Sequence, residues 1–190
     1  MIRRITTIMI SMIVAVAATA QAANWIPDYS QSSVKFRAQQ QGVEFIGAFE
    51  KFSIDIKLDP NDPSTGSITA TIEMSSADAG DRDRNNALPT RDWFSTKKFP
   101  TAEFRSQSII ADGEGSFIAT GTLSMKGVEK GVTLPFTLAI DGDHARASGV
   151  ASLNRTDFKV GDGAFKTGDW VALNVDVLID IVATRAADDE

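Results

Sequence analysis

Three groupings of polar side chains in this sequence have the spacing of working chemistry. Asp81-x-Asp83-x-Asn85, with Leu88 and Asp92, puts oxygens at positions 1, 3, 5 and 12 and an apolar residue at position 8 of a calcium-type loop. The loop lacks Gly at position 6 and Glu at position 12, so Asp–Arg pairing across a capped turn is the simpler reading, and no metal is expected. Asp157, Asp162 and Asp169 cluster late in the chain, and a carboxylate pair is what acid–base chemistry on a glycoside would need. Each of the three, however, stands beside Gly or an aromatic residue in turn-like sequence, which favours Asx-turn and capping roles. His144 is the only histidine and there is no cysteine, which argues against catalytic zinc and a Ser-His-Asp triad and removes thiol chemistry altogether. Trp93 and Trp170 are expected as rim or core aromatics; exposed side by side, they would instead suggest a glycan-binding sandwich. Gln40 is the remaining candidate: period-two alternation turns its amide inward, where it needs a partner or a ligand oxygen, whereas its place at the strand end equally allows it to turn to water. No catalytic residue and no cofactor is expected.

The elements that would carry these side chains are strands. Val34, Phe36 and Ala38 alternate with polar residues, as do Phe45, Gly47 and Phe49, then Ile54, Ile56 and Leu58, then Ile68, Ala70, Ile72 and Met74. Residues 75–98 have no such period, and a short helical excursion is expected around residues 78–96. Alternation returns from Thr101, runs through Phe117, Ala119, Gly121 and Leu123, and continues after the basic Lys126-Gly127 turn in Val132, Leu134, Phe136, Leu138 and Ile140. Residues 121–136 therefore read as a β-hairpin. Residues 145–153 and then Val171, Leu173, Val175, Val177, Ile179 and Ile181 complete about eight strands. Such a pattern describes an all-β antiparallel sandwich or barrel, and closure removes exposed edges. The apolar face mixes large residues with small ones (Ala38, Gly47, Ala70, Ala119, Gly121, Ala147, Gly149, Ala151), and periodicity leaves open a solid core or a cavity.

Arg3-Arg4, an apolar run shorter than the roughly 20 residues that span a bilayer, and Ala20-Gln21-Ala22 read as a signal peptide over residues 1–22, with cleavage leaving one domain, residues 23–190, in the periplasm. Loss of the two arginines takes the formal net charge from −6 to −8. A domain of that sign repels nucleic acid and gains nothing at an anionic membrane surface.

The string G-x-L-x-x-K-G-V-x-K-x-V-x-L, from Gly121 to Leu134, resembles the central hairpin of the YceI-like family of bacterial polyisoprenoid-binding envelope proteins. Phe36 with Gly42, Gly47-x-Phe49-x-x-Phe52, Arg82-Asp83, Phe94, Phe99-Pro100-x-Ala102-x-Phe104 and Arg155-x-Asp157-Phe158 resemble further family motifs in the family's order. Gln40 stands where many members carry His, and the stretch after Arg82-Asp83 is about two residues longer. The resemblance implies a lipocalin-like antiparallel barrel holding a long isoprenoid lipid, of polyprenyl or isoprenoid quinone type, with a fatty acid or fatty amide as alternative ligand. It also makes a quinone-linked membrane cytochrome a candidate partner and leaves room for a homodimer. On that basis Phe36, Ala38, Gln40, Phe45, Gly47, Ile56, Ala70, Ile72, Phe94, Phe104, Phe117, Ala119, Gly121, Leu134, Phe136, Val175 and Val177 are expected to line the ligand space.

Overall fold

The computed structural model describes residues 22–187; the expected signal peptide, except for Ala22, lies outside them. Eleven β segments form one sheet: β1 (Asn24–Pro27), β2 (Ser33–Gln40), β3 (Val43–Phe49), β4 (Phe52–Lys57), β5 (Ser67–Glu73), β6 (Ala77–Asp78), β7 (Thr101–Ala111), β8 (Ser116–Met125), β9 (Val128–Asp141), β10 (His144–Asn154) and β11 (Asn174–Arg185). The order β1-β4-β5-β7-β8-β9-β10-β11 closes on itself because β1 also pairs with β11. The fold is thus all-β, a closed antiparallel barrel of eight strands, with one short α-helix among the described residues, α1 (Arg82–Ala87), in the expected excursion.

Eleven segments reduce to eight because several are pieces of longer strands. β1 pairs with β11 at Ala183–Arg185 and β2 pairs with β11 at residues 176–180, so the two follow one another beside the same strand. Residues 28–32 kink the chain between them. Asp28 accepts from the amide and hydroxyl of Ser30, and the Tyr29 hydroxyl takes the Ile54 amide, 3.2 Å away. Glu50 and Lys51 break β3 from β4 in the same way.

Side chains from alternate positions fill the interior in two parts. At one end Trp25, Leu58, Ile109, Phe117, Ala119, Leu134 and Phe136 pack as one cluster, with Phe117 stacked on Phe136 at 5.5 Å and the Trp25 indole N–H donating to the Leu58 carbonyl. At the other end Phe36, Met74, Leu88, Phe94, Phe158 and Val160 form a second cluster. A bulge at Gln107 shifts the register between Ser106 and Ser108 and inverts the face of β7 beyond it. Ile109 is consequently fully buried, while Ile110 is turned outward.

The barrel wall is continuous at the first end and divided at the second. The β9–β10 ladder stops at Phe136 opposite Gly149, next to Pro135, which has no amide hydrogen to give. β3 meets only the two-residue β6 on its outer edge. The first seam is covered by residues 155–172, which begin with a 3-10 turn (Arg155–Phe158) packed on β9; the second is covered by residues 79–100, which contain α1. Asp81 caps α1 by accepting from the Asp83 and Arg84 amides, and Asn85 is committed to Asp78 and the Ala79 amide. Of the positions that matched a calcium loop, Asp81 is thus a helix cap and Asn85 a partner of the preceding turn. Asp169 likewise accepts from the Thr167 hydroxyl, whereas Asp162 precedes its turn without a side-chain bond to it.

Candidate functional site: an apolar cavity under two flaps

Between the two clusters lies a cavity of about 250 Å³. Along β11 it is bordered by Val175, Val177, Ile179, Ile181 and Ala183. These eight residues of rise cover roughly 27 Å of strand, or roughly 20 Å along the axis at a typical ~40° tilt. The space is therefore elongated. Its wall is apolar throughout except for Arg155.

Twelve of the expected residues border this cavity: Phe36, Ala38, Phe45, Ile56, Ala70, Ile72, Phe94, Phe104, Leu134, Phe136, Val175 and Val177. Five are placed elsewhere. Phe117 and Ala119 are packed with Ile109 away from the cavity, and Ala119 has no exposed surface. Gly47 lies under the Phe36 ring, and Gly121 lies against the Phe104 ring and the Arg105 carbonyl, so neither leaves space for a ligand. Gln40 sits at the rim, where its side-chain oxygen accepts from Arg84 at 3.1 Å; that guanidinium also covers the Phe45 ring at 4.3 Å. Several bordering residues were not anticipated, among them Trp25, Leu58, Met74, Leu88, Trp93, Val160 and Val171. Those from the two flaps have no strand period to betray them. Trp93 faces the cavity against Phe165 while Trp170 is exposed, so the two rings do not form a sugar platform.

Arg155 is buried, 3% exposed, and has no carboxylate partner among the described residues. Its five N–H groups instead all go to main-chain carbonyls: Nε to Ala172 (2.9 Å), Nη1 to Val160 (2.8 Å) and Gly161 (3.1 Å), and Nη2 to Val171 (2.7 Å) and Phe165. Burial pushes the guanidinium pKa down from its usual value. With every donor committed, Arg155 folds the second flap around itself and presents no free donor to the cavity. Gly161, at φ +75, is required here, because a Cβ would strike the guanidinium.

The two flaps meet at one carbonyl. Asp92 of the first flap accepts from the Gly161 amide (2.8 Å) and the Asp162 amide (2.9 Å) of the second, and from the Lys126 ammonium (3.1 Å). Lys126 reaches there from the β8–β9 turn, where Lys126 and Gly127 both have positive φ, as a two-residue hairpin turn demands. Its ammonium also bonds the Lys159 carbonyl. Burial lowers its pKa, opposed by nearby Asp162 and Asp92. Lys126 thus ties both flaps to the barrel wall across the end of the cavity. Hydrogen bonds to a charged group contribute about 1.5 to 3 kcal/mol each, so Lys126→Met is expected to speed amide hydrogen exchange at Gly161 and Asp162 by tenfold or more. Unchanged protection there would show that the flaps hold without it.

A closed antiparallel barrel of this size with an elongated apolar interior defines a lipocalin-like barrel of the cavity-bearing kind. The YceI-like domain model matches residues 25–183, and the chain belongs to the YceI-like family. It is similar to a UPF0312 protein of Photorhabdus laumondii, 32% identical over 129 residues, covering 66% of this chain and 67% of the relative. Among solved structures it is similar to BcnA of Burkholderia cenocepacia, with TM-score 0.81 and 37% identity over 83% of this chain and 99% of that one. A polyisoprenoid binding domain from Saccharophagus degradans, described as implicated in plant cell wall breakdown, shares the fold at TM-score 0.64 and 14% identity, covering 87% of this chain and 99% of that one.

Proposed function

We propose that this protein is a periplasmic, non-enzymatic carrier or reservoir for a long, slender isoprenoid lipid, of polyprenyl or isoprenoid quinone type, held along the barrel axis. The observation that carries this reading is the cavity itself. Leaving about 250 Å³ of apolar interior unfilled would cost on the order of 6 kcal/mol at ~24 cal/mol per Å³. That is comparable with the whole stability of a typical domain, about 5 to 15 kcal/mol, so an apolar occupant offsets a large penalty. Each methylene transferred from water adds about 0.8 kcal/mol. The wall is apolar apart from Arg155, whose donors are all committed to carbonyls, so affinity rests on apolar contact and selection on width and length. The polyisoprenoid-binding relative supports the same ligand class.

The signal-like residues 1–22 support delivery to the periplasm. There the domain would serve membrane lipid chemistry, quinone-linked cytochromes included. Native mass spectrometry of protein purified from its own cell envelope tests ligand and compartment together. The expected species is a chain beginning at Ala23 that releases one prenyl lipid on organic extraction. A fatty acid or amide in its place would shift the reading to a general amphiphile carrier, and a bound sugar would overturn it.

A further inference from the structure

The outer surface of the flaps has a charge unlike that of the chain as a whole. Where Trp93, Phe94, Phe158 and Val160 face the cavity, their neighbours Arg91, Asp92, Lys159 and Asp162 face outward; with Lys98, Phe99 and Lys126 they form a cleft directly over the cavity's end. That cleft holds four cations (Arg91, Lys98, Lys126 and Lys159) against two carboxylates, in a chain whose net charge is −6. Arg91, Lys98 and Lys159 are exposed. Large apolar side chains are exposed at the same end: Trp170 (55%), next to the Val171 carbonyl that Arg155 holds, and Val43 (70%), just past the Gln41 amide that donates to the Trp170 carbonyl.

We infer that this end of the barrel docks on a bilayer surface containing anionic phospholipid, with the cationic cleft over the headgroups and Trp170 at the interface. At physiological salt, charges more than about 8 Å away are screened, so the acids of the distant barrel wall weigh little at contact. An average charge that disfavours an anionic surface is compatible with one end that favours it. Indole rings with one polar edge settle at the headgroup level, and each Lys or Arg near an anionic surface contributes roughly fivefold in affinity. Docking in this orientation would set the flaps, and the cavity behind them, against the membrane. The inference is independent of which lipid fills the cavity.

The test is co-flotation of lipid-stripped protein with vesicles of phosphatidylglycerol and phosphatidylcholine, against vesicles of phosphatidylcholine alone. Binding to the anionic vesicles only, weakening as salt rises, is expected, together with a blue shift of tryptophan emission that Trp170→Phe removes. The triple variant Arg91→Gln, Lys98→Gln, Lys159→Gln should lose at least tenfold in binding, while Lys35→Gln with Lys57→Gln, on the barrel wall, should lose almost nothing. Retained uptake of a fluorescent polyene by the triple variant would show that it folds. Equal binding to both vesicle types, or a triple variant that binds as well as the parent, would overturn the inference. So would inorganic phosphate raising the melting temperature with no vesicle binding, since the cleft would then be a site for a soluble anion.

Discussion

Replacement of Arg155 by methionine is expected to lower stability by about 3 to 5 kcal/mol, read as a fall in the denaturant midpoint. The side chain it removes satisfies the carbonyls of Val160, Gly161, Phe165, Val171 and Ala172. Stranding a buried acceptor costs about 1 to 3 kcal/mol; water reaching some of the five keeps the total below their sum. Arg155→Lys retains the charge but offers three donors for five acceptors, so it should recover only part of the loss. Because Arg155 also stacks over Trp93 at 5.6 Å, near-neighbour tryptophan emission should change in both variants. A methionine variant within about 1 kcal/mol of the parent would show that the flap carries its own fold.

Filling the cavity should separate ligand loss from stability loss. Ala70 and Ala147 are half-buried and border the space, so Ala70→Leu with Ala147→Leu inserts two isobutyl groups where a lipid chain would lie. Bound lipid recovered after purification should drop by more than tenfold, with the melting temperature unchanged or raised. Ala119→Leu is the contrast. Ala119 is enclosed with Ile109, Phe117 and Phe136, so overpacking of about 1 to 3 kcal/mol is expected. Gly121→Leu is worse still, since its first carbon would meet the Arg105 carbonyl. If the Ala70/Ala147 pair destabilises as much as Ala119→Leu and leaves lipid content untouched, the interior is a core and not a binding space.

Most of the barrel was legible in the sequence because period two survives along β2, β5, β8 and β11. What it could not show was where the period breaks phase. Counting by twos from Phe104 turns Ile110 inward, and only the extra residue Gln107 makes Ile109 the buried one. The small residues carried a second ambiguity. A glycine on an inward face makes room, but the room at Gly47 and Gly121 is taken by the protein's own Phe36 and Phe104 rings, whereas that beside Ala70 and Ala147 is left open. Both cases look alike in a sequence. The hubs at Arg155 and Asp92 were less legible still. Arg155 stood in a family-like motif and Asp92 in a calcium-like spacing, but their partners are mainly backbone groups, which every residue type supplies, so neither pattern showed what they hold. Lys126 could be read as part of a basic turn, but its reach to the far flap could not.

Trp25, Leu58, Ala145 and Ala183, each nearly fully buried, floor the cavity at the end away from the flaps. A stopped tube has a fixed depth, and whatever enters must leave by the way it came, last part in being first out. Such a protein measures its cargo like a gauge. Homologous chains shorter than the bore leave space behind them, and longer ones protrude between the flaps. Across a series of increasing chain length, retention should therefore rise by equal steps and then break sharply at one length, a discontinuity set by the position of the Trp25 ring and the residues packed around it.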